Sequence, residues 1–168
     1  MTDFEAACEL LKEQMGRDVA VSLATCAEDD VTVRMVDGYY KDGAIYVLTH
    51  VSSRKMRDIV KNPKVAVCRQ LMQATGIGKN LGNPREKWNK LISQELRQVF
   101  SLFYDRHVDE DDPGTCILKI ILIQAAVFGE DCKYAVNFST HSAKKYPFHN
   151  DITDPDAARQ AGGAGPGR

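Results

Sequence analysis

The sequence is poor in features that would place it quickly. No stretch approaches the roughly 18 consecutive apolar residues of a membrane-spanning helix. The opening Met1-Thr2-Asp3-Phe4-Glu5 carries acids where a secretion signal would be basic. No membrane partner and a cytoplasmic location are therefore expected. An excess of one charge is missing too: 22 Lys and Arg stand against 23 Asp and Glu, a net charge of −1, so no nucleic-acid partner is expected. The five cysteines, Cys8, Cys26, Cys68, Cys116 and Cys132, are scattered without a CxxC pair. That argues against a zinc site or a disulfide framework, and they read as reduced, buried thiols. The four histidines, His50, His107, His141 and His149, show no ligand spacing, and no metal is expected.

Motifs for autonomous chemistry are also absent. Gly76, Gly78 and Gly82 form a GxGxxxG, one residue off the dinucleotide fingerprint and with no early βαβ unit around it. A P-loop fails as well, because Asn80 follows Gly78-Lys79 and Gln73 stands where the first glycine belongs. There is no nucleophile elbow. Glu28, Asp29 and Asp30 are consecutive turn residues, a poor acid/base pair. No side chain stands out as catalytic, which agrees with a bound cofactor supplying the chemistry.

What is present reads as one soluble domain, with 43% hydrophobic and 27% charged residues in 168. Thr2 to Glu5 fits a capping box for a first helix ending at Gly16. Val19–Cys26 and Val31–Tyr40 alternate as strands, and Asp42-Gly43 is a hairpin turn into a third strand from Ala44. A helix from Ser53 presents Met56, Ile59 and Val60 and stops at Asn62-Pro63. Strand resumes at Val65, and the glycines from Gly76 to Gly82 suggest that the chain then loosens. Asn83-Pro84-Arg85-Glu86 reads as a helix start, followed by one long amphipathic helix from Trp88 to near Tyr104 whose stripe packs in the core. His107 to Gly114 is an acidic, solvated loop. Two strands follow, within Cys116–Glu130 and over Tyr134–Ser139, and the residues from 149 onward are expected to be a disordered tail. Six or so strands with hairpin links suggest a small antiparallel barrel flanked by helices.

The segment Ala44 to Lys61 is the most informative. An apolar strand hands over through Thr49 to Ser53 to a helix that opens Ser53-Arg54-Lys55. Unpaired backbone N–H groups and the helix dipole favour an anion at such a start. A hydroxyl at Ser52 or Ser53 can cap it, and two cations can reach a phosphate.

Arg34-Met35-Val36, Leu48-Thr49, Ser53-Arg54-Lys55, Asn62-Pro63 and Gln73 occur in an order and spacing that resemble the flavin-binding core of the pyridoxamine 5'-phosphate oxidase family, over roughly Val19 to Gly82. The resemblance implies a mainly β fold with flanking helices, a Greek-key antiparallel split β-barrel. It also implies a homodimer with FMN in each of two clefts between subunits, and one FMN-binding domain over 1–148. By position, Arg34, Met35 and Val36 would contact the flavin, Leu48 and Thr49 would line it, and Ser53, Arg54 and Lys55 would hold its phosphate. Gln73 would hydrogen-bond the ring edge. The expected activity is an FMN-dependent oxidoreductase acting on a small-molecule substrate or NAD(P)H, with no catalytic side chain. The alternative is a non-catalytic flavin- or haem-binding protein for storage or sensing. The family's Arg-Leu-His-Asp-Arg substrate motif has no counterpart, which argues against oxidation of pyridoxamine phosphate.

Overall fold

In the computed structural model, which describes residues 1–149, helix α1 (Asp3–Met15) precedes strands β1 (Val19–Ala27), β2 (Asp30–Lys41) and β3 (Ala44–His50). Helix α2 (Arg54–Lys61) and strands β4 (Lys64–Arg69) and β5 (Met72–Asn80) follow. Then come a 3-10 turn (Lys87–Asn89), helices α3 (Lys90–Val99) and α4 (Tyr104–His107), and strands β6 (Thr115–Phe128), β7 (Cys132–Asn137) and β8 (Ser142–Pro147). All pairings are antiparallel, in the order β3-β2-β1-β4-β5-β6-β7-β8. A further β3–β6 pairing closes the first six strands into a barrel. The order β3-β2-β1-β4 is a Greek key. Strand β6 makes the split: one edge follows β5, while the other pairs with β3 over Thr115–Ile121 and with β7 over Gln124–Phe128.

Local chemistry accounts for the elements that place the site. The Thr2 side chain accepts from the Glu5 N–H at 3.2 Å while Glu5 accepts from the Thr2 N–H at 2.7 Å, the reciprocal cap expected of α1. Asp42 and Gly43 both have positive φ (47° and 76°), as the tight β2–β3 hairpin requires. Strand β3 is buried on both faces. Ile45 and Val47 join the barrel core, and Ala44 and Tyr46 join a second cluster with Leu96, Phe100, Tyr104 and Ile117 that fastens α3 and α4 outside the barrel. Ala7, Leu11 and Met15 of α1 and Met56 and Ile59 of α2 complete the barrel core.

Several expectations need correction. Gly76 and Gly78 do not loosen the chain but lie within β5. A Cβ at Gly76 would sit 2.5 Å from the Ile121 carbonyl oxygen at a bulge, and one at Gly78 would sit 3.0 Å from Ile59, so both glycines permit close approach. Asn83 caps no helix: its side-chain oxygen accepts from the Arg85 N–H at 2.8 Å in a turn, while its NH2 group donates to the carbonyls of Glu110 and Asp112 at 3.2 and 3.0 Å. The long helix is broken at Phe100. Its stripe is buried only in part, since Trp88 and Leu91 are 72% and 81% exposed. Val60, expected on the packed face of α2, is exposed, and Asp58 is buried instead. Strand β8 was not anticipated; its turn is built by Asn137, whose side-chain oxygen accepts from the Ser139 and Thr140 N–H groups. All five cysteines are free, but only Cys116 is buried, and Cys68 is exposed. Apart from His149, the expected tail lies outside the described residues.

Candidate anion seat and outer groove

The β3–α2 junction gathers cationic side chains. Ser53 takes the N-cap position with extended backbone (φ −65°, ψ 149°), yet its hydroxyl caps no N–H; it lies 3.4 Å from the Thr49 hydroxyl. The Ser53 carbonyl accepts from Met56 and Arg57 at 3.1 Å each. Among the described residues, no acceptor meets the N–H groups of Arg54 and Lys55, so the positive end of α2 is open.

The cations around this turn differ in what already holds them. Arg34 is inward-facing and partly buried; it donates to the Leu23 carbonyl at 3.1 Å and to the hydroxyls of Thr25 and Thr32 at 2.8 and 2.5 Å. Arg34 Nη2 also lies 3.7 Å from Asp58 Oδ2. Desolvation lowers its pKa, opposed by the charge of Asp58. Arg54, half-exposed, pairs with Asp30 and brings its Nε to 4.0 Å from Asp58. Lys55 is partly buried, and no carboxylate among the described residues pairs with it. Desolvation, then the charge of Arg34, holds its pKa below the ordinary value. Behind it lies the buried thiol of Cys116, pushed up to about 11 by burial. A partly desolvated ammonium beside another cation, in front of open backbone donors, suits a bound anion.

The residues expected from sequence therefore separate. Arg34, Thr49, Ser53, Arg54 and Lys55 surround the start of α2 or face it. Val36 packs against the barrel core, and Leu48 packs on the α3 side. Met35 and Gln73 point outward, on the row Met35–Ser22–Cys68–Gln73–Ala126 that crosses β2, β1, β4, β5 and β6. Consecutive strand residues point to opposite faces, so Arg34 and Met35 cannot serve one face with their side chains. The row borders an outer groove of about 800 Å³, floored by Ala24, Ala66 and Ala126 and edged by Gln73, Gln124 and Asn137. That size falls in the range of small-molecule sites, roughly 300–1,000 Å³. Beside it Val31, Val33 and Met35 stand 67%, 69% and 62% exposed. Among the described residues no group of acids, histidines and cysteines forms a metal cluster, and no helix is long and apolar enough to cross a membrane.

Sequence reading missed Asp58, Thr25 and Thr32. The available signal was the period of α2: Asp58 is the one acid in Arg54–Lys61 and lies four residues after Arg54, between the buried Met56 and Ile59.

No protein-family model matches the sequence, and no curated protein matches it either. Solved structures do. A Clostridium acetobutylicum protein related to general stress protein 26, of the pyridoxine phosphate oxidase family, is 14% identical with a TM-score of 0.57, over 84% of this chain and 100% of that one. An FAD-binding protein from Mesorhizobium loti is 20% identical with a TM-score of 0.56, over 70% and 89%. A haem-binding protein from Mycobacterium smegmatis is 10% identical with a TM-score of 0.58, over 88% of this chain and 58% of that one. The chain thus has the split-barrel fold of the pyridoxamine 5'-phosphate oxidase-like proteins.

Proposed function

We propose that this is an FMN-binding flavoprotein and an oxidoreductase, with residues 1–148 forming its cofactor domain. The observation that carries the reading is Lys55: a partly buried ammonium without a carboxylate partner among the described residues, beside Arg34 and the open N–H groups of α2. Such a seat suits a compact anion, and the terminal phosphate of a mononucleotide is one. Thr49 and Ser53 would add hydroxyl donors, and Arg54 would complete the charge. Met35 and Gln73 lie on the other face of the sheet, so they would offer an apolar wall and an amide to a flavin ring from across a subunit interface. Likeness to an FAD-binding protein supports a flavin in this fold.

The apolar strip Val31, Val33 and Met35 beside a groove floored by alanines suits a homodimer, with one flavin in each of two clefts between subunits. When bound, FMN would supply hydride acceptance and donation, with a small organic substrate or NAD(P)H as donor. The chain's part is to fix the phosphate, shield the ring from water and present Gln73 to its edge. Free thiols throughout suit the reducing cytoplasm.

Titration of purified protein with FMN and with riboflavin, followed by quenching of flavin fluorescence, tests the reading. Saturable FMN binding, tighter than riboflavin, is expected; no binding of FMN rejects it. A second reading, supported by likeness to a haem-binding protein, is a non-catalytic carrier or sensor using the same seat. Anaerobic mixing with NAD(P)H separates the two: bleaching of the flavin marks an enzyme, and its absence marks a carrier or sensor. Likeness to a haem-binding protein makes haem the alternative ligand to titrate.

A further inference from the structure

Asp58 is 6% exposed, the most deeply buried carboxylate near the seat, and it binds three elements together. From α2 its Oδ2 accepts from the Thr25 hydroxyl of β1 at 2.7 Å and from the Thr32 hydroxyl of β2 at 3.1 Å. The same oxygen lies 3.7 Å from Arg34 Nη2 and 4.0 Å from Arg54 Nε. Thr25 and Thr32 in turn accept from Arg34, so both hydroxyls are bridges between the guanidinium and the carboxylate. Those hydrogen bonds, Thr25 first, overcome the upward pull of desolvation and hold the Asp58 carboxyl below its ordinary value. Asp58 is therefore charged wherever the seat would operate.

A carboxylate beside a phosphate seat is a puzzle for simple charge counting. Arg34, Arg54 and Lys55 supply three positive charges, and Asp30 and Asp58 remove two, leaving one. By Coulomb's law alone, discharging Asp58 should tighten the hold on an anion. The geometry argues the reverse. Asp58 accepts the protons of the Thr25 and Thr32 hydroxyls, which leaves their lone pairs turned to Arg34, and so ties the start of α2 to β1 and β2. Without it, the two hydroxyls are free to turn from Arg34, Arg54 keeps Asp30 alone, and the seat loses part of its preorganisation.

We propose that Asp58 is a positioning residue of the anion seat, orienting Arg34 through the Thr25–Thr32 bridge and Arg54 directly, so that they, Lys55 and the open N–H groups of α2 meet a flavin's phosphate. The proposal rests on the FMN reading of the seat and makes the sign of one experiment decisive. In Asp58→Asn the side chain keeps its shape and loses its charge. FMN affinity is expected to fall about tenfold, the order of one lost charge-assisted bond, while riboflavin affinity changes by less than about twofold. A merely structural Asp58 would lower both affinities together.

Thr25→Val removes one bridge at equal volume and leaves the carboxylate. A partial loss, confined to FMN, is expected there, and this variant carries the test should Asp58→Asn fail to fold. Tighter or unchanged FMN binding in the folded variants, or equal losses for FMN and riboflavin, would overturn the proposal. A wild-type protein that does not prefer FMN to riboflavin would instead overturn the phosphate reading beneath it.

Discussion

Replacing Lys55 by Met should weaken flavin binding and strengthen the empty fold at once. One charge-assisted hydrogen bond to a partly desolvated phosphate contributes about 1.5–3 kcal/mol. With each 1.4 kcal/mol a factor of ten, FMN affinity should fall about 10- to 150-fold, and riboflavin affinity should hold. The stability effect has the opposite sign. Desolvation and then Arg34 hold the Lys55 pKa below its ordinary value of 10.5. A base with a lower pKa folded than unfolded binds fewer protons in the fold. Its charge therefore destabilises the empty protein at neutral pH, and stability is recovered as pH rises from the folded pKa toward 10.5. Met keeps the aliphatic stem and removes the charge. Apo Lys55→Met should thus melt higher at pH 7, and the gain should shrink above about pH 10. Fluorescence titration with both flavins and thermal melts across pH supply the readings. Unchanged FMN affinity, or a loss shared equally by riboflavin, would refute the assignment of Lys55 to the phosphate.

Arg54→Ala should cost less FMN affinity than Lys55→Met, because Asp30 already engages Arg54 and half of it faces water; the same titration ranks the two. Changing Val33 and Met35 to Glu on the exposed face of β2 should yield monomers by light scattering, with the barrel's melting temperature shifted by only a few degrees; an intact dimer would remove that face from the interface. Gly76→Ala would press a Cβ to 2.5 Å of the Ile121 carbonyl and should destabilise the fold by about 1–3 kcal/mol in denaturant titration. Burial raises the Glu110 pKa, but hydrogen bonds from Tyr104 and Arg97 outweigh it and leave the carboxyl below its ordinary value of 4.5. Its stabilisation is present above that value and is lost as pH falls through the folded pKa, so Glu110→Gln should flatten the acid limb of a stability–pH profile below about pH 4.5.

The barrel was legible because its strands are linked by turns whose residue types leave little choice. Asp42-Gly43 demands a hairpin, and Thr2 with Glu5 demands a helix start. Both are local rules, satisfied within a few residues. The errors fall where distant partners decide. Gly76 and Gly78 resemble a loop until Ile121 and Ile59 are seen pressing on them, and a strand rich in glycine is then the only backbone that fits. Asn83 has every mark of a helix cap, but its NH2 group is anchored on the carbonyls of Glu110 and Asp112, far along the chain, and its oxygen closes a turn on Arg85.

The same division runs through the candidate site. Ser53-Arg54-Lys55 advertises an anion seat in three consecutive residues, and the structure opens α2 at that point. Which of the two cations is free was not readable, because Asp30 and Asp58 engage Arg54 from a preceding strand and from one helical turn on. Asp58 was hidden more completely: a lone acid in a basic helix looks like a solvated surface charge until Thr25 and Thr32 fold over it. A motif names the charges that could meet a ligand. Only the tertiary partners determine which of those charges is already spent on the protein, and in this chain that selection leaves Lys55.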